Sequence, residues 1–143
     1  MWPGTKIADG TRFVRVQLVY KDDKGRVLII DCEYNDCSLR ILNIYAPNVD
    51  TERKIFFKSL HKWYSGNMLF FGDFNVAQTP NDLSMNNIFK GDVSRNELKE
   101  LMRKNNLCDV WRTTYPKQRT FSRRQMVLQV LKQSRIDLCL VST

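Results

Sequence analysis

The chain has little histidine: one residue, His61, in 143. Its four cysteines, Cys32, Cys37, Cys108 and Cys139, include no Cys-x-x-Cys pair and have no histidine beside them. A zinc site is therefore not expected, and small buried apolar residues in a reducing compartment are the better reading, although Cys32 and Cys37 flank a turn that would bring them near each other. Long apolar runs are missing too. Val27-Leu28-Ile29-Ile30 is far too short to cross a bilayer. The start, Met1 to Lys6, lacks the apolar core of a signal peptide. There is no internal repeat and no low-complexity tract. An intracellular protein is expected, the nucleus included.

What is there is one ordinary globular domain, with 43% apolar and 27% charged residues. Lys and Arg number 23 against 15 Asp and Glu, a net charge of +8. That excess favours an anionic partner, nucleic acid or an acidic membrane, although a soluble protein that happens to be basic fits as well. Lys117, Arg119, Arg123 and Arg124 form a local basic group that could contact phosphates.

In chain order, Arg12 to Tyr20 alternates Val14, Val16 and Leu18 with Arg15 and Gln17, which predicts a half-buried strand. Lys21 to Gly25 reads as a turn, Arg26 to Tyr34 as a second strand, Asn35-Asp36 as a turn, and Ser38 to Tyr45 as a third strand. The aspartates of Lys21-Asp22-Asp23-Lys24-Gly25 lack calcium-loop spacing. Pro47 ends the third strand, and Asp50 is expected to cap a helix to about Tyr64 that buries Phe56, Leu60 and Trp63. His61, on that helix, reads as structural or solvated. Met68 to Phe71 is a short buried strand ended by Gly72, and Ala77 to Val93 is loop-like. Ser94-Arg95-Asn96-Glu97 reads as a capping box opening a helix with Leu98, Leu101 and Met102 on one face, fraying near Asn105. Leu107 to Trp111 is short and apolar around Asp109. Thr120 to Arg123 reads as a brief strand, Gln125 to Lys132 as an insertion, and Arg135 to Val141 as a closing strand with Asp137 amid Ile136, Leu138 and Leu140.

Two stretches carry chemistry. Asp73 and Asn75 stand at i and i+2 just past a strand, where both side chains point one way if the backbone stays extended. They would hold a metal, a phosphate or a water; a plain turn explains the same residues. Asn43-Ile44-Tyr45-Ala46-Pro47-Asn48 delivers a phenol and a carboxamide at the end of another strand. Asp137, a carboxylate in an apolar strand, needs a partner: Arg135, a metal or a histidine.

The ordered set resembles the endonuclease/exonuclease/phosphatase superfamily, and within it the endonuclease domains of LINE-type retrotransposons. The resemblance is carried by Asn43 to Asn48, Gly72 to Asn75, Asp109-Val110-Trp111-Arg112 with Tyr115-Pro116, Arg119-Thr120-Phe121 and Ser134-Arg135-Ile136-Asp137. It implies an α/β (α+β) fold, a four-layer sandwich of two face-to-face sheets with helices outside, here incomplete. It implies hydrolysis of DNA phosphodiesters with Mg²⁺ or Mn²⁺, no membrane partner, and room for a reverse transcriptase in the same parent polyprotein. Catalytic roles fall on Tyr45, Asp73, Asn75 and Asp137, metal binding on Asp73 and Asn75, and substrate binding on Asn48 and Arg135. Asp137 would orient a catalytic histidine.

The sequence departs from the pattern in lacking an early Asn and metal-binding Glu and a closing Ser-Asp-His motif; Ser122 stands where many relatives have an aromatic. An incomplete domain, inactive or nearly so when isolated, is therefore expected. A non-catalytic, basic nucleic-acid-binding module on the same fold is a second reading. A phosphatase of inositol lipids or sphingomyelin is a third, ranked lower because the Asn-Ile-Tyr-Ala-Pro-Asn segment sits closer to the retrotransposon nucleases.

Overall fold

The computed structural model describes residues 12–143; Met1 to Lys6, read above for a signal peptide, lie outside them. A six-stranded sheet forms the frame, in the order β1-β2-β3-β4-β8-β5. Its strands are β1 (Phe13–Lys21), β2 (Val27–Tyr34), β3 (Cys37–Tyr45), β4 (Met68–Asp73), β5 (Leu107–Asp109) and β8 (Asp137–Ser142). β1, β2 and β3 form the expected antiparallel meander. Asn35 and Asp36 both take positive φ in the two-residue turn between β2 and β3, a conformation that Asn and Asp tolerate better than other side chains. β4 runs parallel to β3, which requires a crossover, and helix α1 (Asp50–Ser59) with a 3₁₀ turn at Leu60–Trp63 supplies it.

Alternation along the strands sorts the sheet into two faces. Val27, Ile29, Leu42, Ile44, Met68, Phe70, Leu138 and Leu140 point to one face and pack on Phe57 and Leu60 of the crossover and on Leu98 and Leu101 of α2 (Val93–Lys104). That is the core. The opposite face carries Leu28, Ile30, Ile41, Leu69, Phe71 and Val141 as register partners, and Leu28 and Phe71 remain 39% and 40% exposed. One sheet with one helix layer is half of a four-layer sandwich. A two-stranded hairpin, β6 (Arg123–Val127) and β7 (Val130–Ser134), stands beside it, and short helix α3 (Val110–Thr114) follows β5.

Several local expectations change. β1 is an edge strand, not half-buried: its register shifts twice, Arg15 takes φ 53°, and Val16 and Leu18 are 60% and 59% exposed. Bulges break the period-two alternation that the sequence pattern assumes. Val49, not Asp50, is the N-cap of α1, and Asp50 stands in its first turn. Asp92, not Ser94, caps α2, accepting from the Ser94 backbone N–H at 2.8 Å. The expected insertion is the β6–β7 hairpin, whereas the brief strand expected over Thr120 to Arg123 is irregular, only Arg123 entering β6. Of the four cysteines only Cys32 is buried, because Cys37 and Cys139 lie on exposed surface. Among the described residues no helix is long and apolar enough to cross a membrane.

Candidate active site

Tyr45, Asp73 and Asp137 are register partners on three adjacent strands, β3, β4 and β8. They stand two residues beyond Asn43, Phe71 and Cys139, which are likewise partners, so they project from the open face in one row at its end. Arg26 extends the row: its guanidinium lies 4.9 Å from the centre of the Tyr45 ring.

Local backbone geometry builds the row. Gly72 takes φ +130°, and a Cβ there would lie 2.0 Å from the Ile44 carbonyl oxygen, so only glycine lets β4 pass β3 at this point. Past Asp73 the chain turns inward. Phe74 N–H donates to the Ile136 oxygen and Ala46 N–H to the Asp73 oxygen, each at 2.8 Å. Asn75 takes φ 53°; its N–H donates to Asp73 Oδ1 at 2.8 Å and its Nδ2 to the Ala46 oxygen at 2.7 Å. The extended i, i+2 geometry expected from the sequence is thus replaced by a left-handed turn, which still brings Asn75 beside Asp73. Asn75 retains its Oδ1 and a second N–H for a ligand.

Burial pushes the Asp73 carboxyl above the ordinary aspartate range; the Asn75 N–H opposes this and the charge of Asp137 adds to it. Asp137 opens β8 rather than lying in its middle, and is exposed. Ser122 Oγ accepts the N–H groups of Ile136 and Asp137 at 3.0 and 3.1 Å, fixing the start of the strand.

Asn48 is exposed at the end of the Tyr45–Asn48 segment, and its main chain is anchored from below by Arg53. Arg53, 3% exposed, donates Nη1 to the Pro47 and Asn48 oxygens at 3.0 and 2.8 Å, Nε to Ser94 Oγ at 2.8 Å, and Nη2 to Asp92. Arg135 is a correction. It is expected at the substrate, or as partner of Asp137, but it is 3% exposed and points into the fold. There it donates Nε to Asp82 Oδ1 at 2.8 Å and Nη2 to Asp109 Oδ2 at 2.6 Å. Asp82 also accepts from Arg112 Nη2 at 2.5 Å, closing a buried ion network that a lone sequence motif could not specify. His61 faces away from the row: it lies on the helix side of the sheet, 3.3 Å from Glu97 of α2.

Sequence reasoning missed Arg26, Arg53 and the anchoring part of Ser122. Only Arg53 left a signal: it shares the i, i+4, i+7 stripe with Phe57 and Leu60, where an arginine must find buried partners.

No family model matches the chain. It is 30% identical over 124 residues to the transposon TX1 uncharacterized 149 kDa protein of Xenopus laevis, covering 83% of this chain and 9% of that protein. Among solved structures it resembles the AP endonuclease LMAP of Leishmania major, with a TM-score of 0.62 and 20% identity over 85% of this chain and 47% of that one. It also resembles the endonuclease domain of TRAS1, a telomere-specific non-LTR retrotransposon, with a TM-score of 0.60 and 11% identity over 89% of this chain and 56% of that one. The chain thus spans about half the length of each of these structures. The row at the sheet end lies in the fold shared by abasic-site and LINE-type endonucleases, and the chain carries the endonuclease/exonuclease/phosphatase fold.

Proposed function

We propose that this chain forms the central part of a LINE-type retrotransposon endonuclease, a site for hydrolysing DNA phosphodiesters with Mg²⁺ or Mn²⁺. The row of Tyr45, Asp73 and Asp137 on adjacent strands, with Asn75 tied to Asp73, is the observation that carries the reading. Likeness to the TX1 transposon protein supports the retrotransposon origin. The open apolar face supports a domain completed by a second sheet.

The donors on offer are of the type a hard cation takes, a carboxylate oxygen of Asp73 and Oδ1 of Asn75, but among the described residues no three His, Cys, Asp or Glu side chains cluster to hold a metal, so water and phosphate oxygens would complete the coordination. Asp73 and Asn75 would hold the ion, which when bound would stabilise charge on phosphate oxygens. Asp73 would also position an attacking water or take its proton. Tyr45, its ring exposed, donates to the phosphate or the leaving oxygen, and Asn48 reaches the phosphate or sugar. Asp137 would orient a catalytic histidine. The sequence has only His61, engaged with Glu97 behind the sheet, so the isolated chain is expected to be nearly inactive.

The test is nicking of supercoiled plasmid with Mg²⁺ or Mn²⁺, beside an Asp73→Ala control. The isolated chain should stay near background; robust nicking that vanishes in the control would overturn the inactivity. Co-folded with the parts of the TRAS1 domain that the chain does not match, it should nick in an Asp73-dependent way. Salt-dependent DNA binding with no nicking even then would favour a non-catalytic binding module, the reading that the net charge of +8 supports.

A further inference from the structure

We infer that the open face of the sheet is an interface at which two copies of this chain pack face to face. The inference does not rest on the nuclease reading and concerns the chain by itself. A second sheet from the same polypeptide would cover the same face, so the two arrangements exclude each other.

The face is apolar across the whole sheet. Register partners share a face, so Leu18 joins Ile30, and Phe13 joins Tyr34, on the side that carries Ile41 and Phe71. Leu18 and Phe13 are 59% and 54% exposed there, beside the half-covered Leu28 and Phe71. The charged partners Asp31 and Arg40 go to the other side, where Arg40 Nη1 donates to the Trp63 oxygen of the crossover at 3.2 Å. Along β2, β3, β4 and β8 no charged side chain stands on the open face short of the row, and Asn43 is its one carboxamide.

Area, charge and size each select a second copy as the occupant. Six strands spaced about 4.8 Å apart, by about 20 Å of strand length, give a flat footprint of roughly 500 Å². Side-chain relief adds to that footprint and brings it into the range of about 600–1,000 Å² per partner that stable interfaces bury. The chain carries a net charge of +8, but this face is uncharged, so two copies meeting here press no like charges together. Its carboxylates, Asp73 and Asp137, lie at one end, and a two-fold axis running across the strands sets the two rows at opposite ends. The chain matches 47% and 56% of the LMAP and TRAS1 structures, so a second copy is about as large as the part left over. Each copy is one sheet with one helix layer, and two sheets packed in this way give four layers. A face that meets itself across a two-fold axis closes at two copies.

The experiment is sedimentation equilibrium of the chain over a concentration series, with two matched variants. Leu28→Lys/Phe71→Lys charges the open face. Ile55→Lys/Leu128→Lys adds the same charge at positions 71% and 94% exposed on α1 and at the hairpin turn. The parent should reach twice the chain mass at about 10 μM, and the Ile55/Leu128 variant should match it. The face variant should dissociate about 100-fold more readily, because each lysine would be buried unpaired. A parent that stays monomeric at about 100 μM, or a face variant that keeps the dimer, would overturn the inference. So would an equal loss in both variants, or a ladder of species larger than two. None of these outcomes touches the nuclease reading. Thermal melts check that the variants fold. Should the face variant not fold, alkylation of Cys139, exposed on the open face opposite Phe71, decides on the parent alone. It should slow several-fold at high protein concentration, and equal rates at low and high concentration would overturn the interface.

Discussion

Arg53 holds Asn48 from beneath: its Nη1 donates to the Asn48 main-chain oxygen at 2.8 Å, while the Asn48 side chain stays exposed on the other side. The same guanidinium ties this segment to the start of α2 through Ser94 and Asp92. Arg53→Met removes one partner of a buried ion pair and should cost roughly 3–5 kcal/mol. Arg53→Lys keeps the charge but cannot reach four acceptors, so a smaller loss is expected. Chemical denaturation of both variants checks the order. A stable Arg53→Met chain would show that the segment is held by its other contacts.

Gly72 leaves no room for a side chain against β3. With the Ile44 oxygen 2.0 Å from any added Cβ, Gly72→Ala must push β3 and β4 apart next to Tyr45 and Asp73. The expected cost is about 3 kcal/mol or more, with loss of the cooperative unfolding transition as the extreme outcome. Circular dichroism melts measure it, and a near-parental melting temperature would refute the close approach.

Asp73 should make stability depend on pH in a definite direction. Burial, opposed by the Asn75 N–H and reinforced by the charge of Asp137, raises its carboxyl in the folded chain. Between the ordinary aspartate range and the raised value the folded chain holds more protons than the unfolded one, so this group's contribution to stability falls as pH rises. Asp73→Asn keeps an acceptor for the Asn75 N–H and removes the charge. It should melt higher than the parent at neutral pH, and the difference should shrink in acid below the ordinary aspartate range. Equal melting temperatures at neutral pH would contradict this.

Ser122 is expected to act through the backbone. Its Oγ accepts from both Ile136 and Asp137, and Ser122→Ala leaves those N–H groups to water. The loss should be small, about 1 kcal/mol. Amide hydrogen exchange gives the sharper readout: protection should fall at Ile136 and Asp137 and hold at Leu138 and Leu140 within the core. Unchanged exchange at both positions would remove Ser122 from the support of Asp137.

Much of the frame was legible because it follows from local pattern. Turn residues and branched apolar content marked β2 and β3, and alternation marked β8; Gly72 marked the end of the apolar stretch in β4; and helical spacing marked Phe56, Leu60 and Trp63, Leu60 being fully buried and the two aromatics half-buried against the core. The cap of α2 was misplaced because Asp92 accepts from the Ser94 N–H and pairs with Arg53 of α1, a partner that the local sequence does not reveal. The β6–β7 hairpin escaped because Leu128 and Gln129 take positive φ without a glycine or asparagine to announce the turn.

By itself the sequence singled out the candidate residues, Tyr45, Asn48, Asp73, Asn75 and Asp137, since these are side-chain types in a recognisable order. Only the tertiary structure decided that Tyr45, Asp73 and Asp137 share one row, because that depends on a parallel crossover and two strand registers set by long-range hydrogen bonds. It also decided where Arg135 points. A buried guanidinium goes where two carboxylates await it, and Asp82 and Asp109 lie 53 and 26 residues away along the chain.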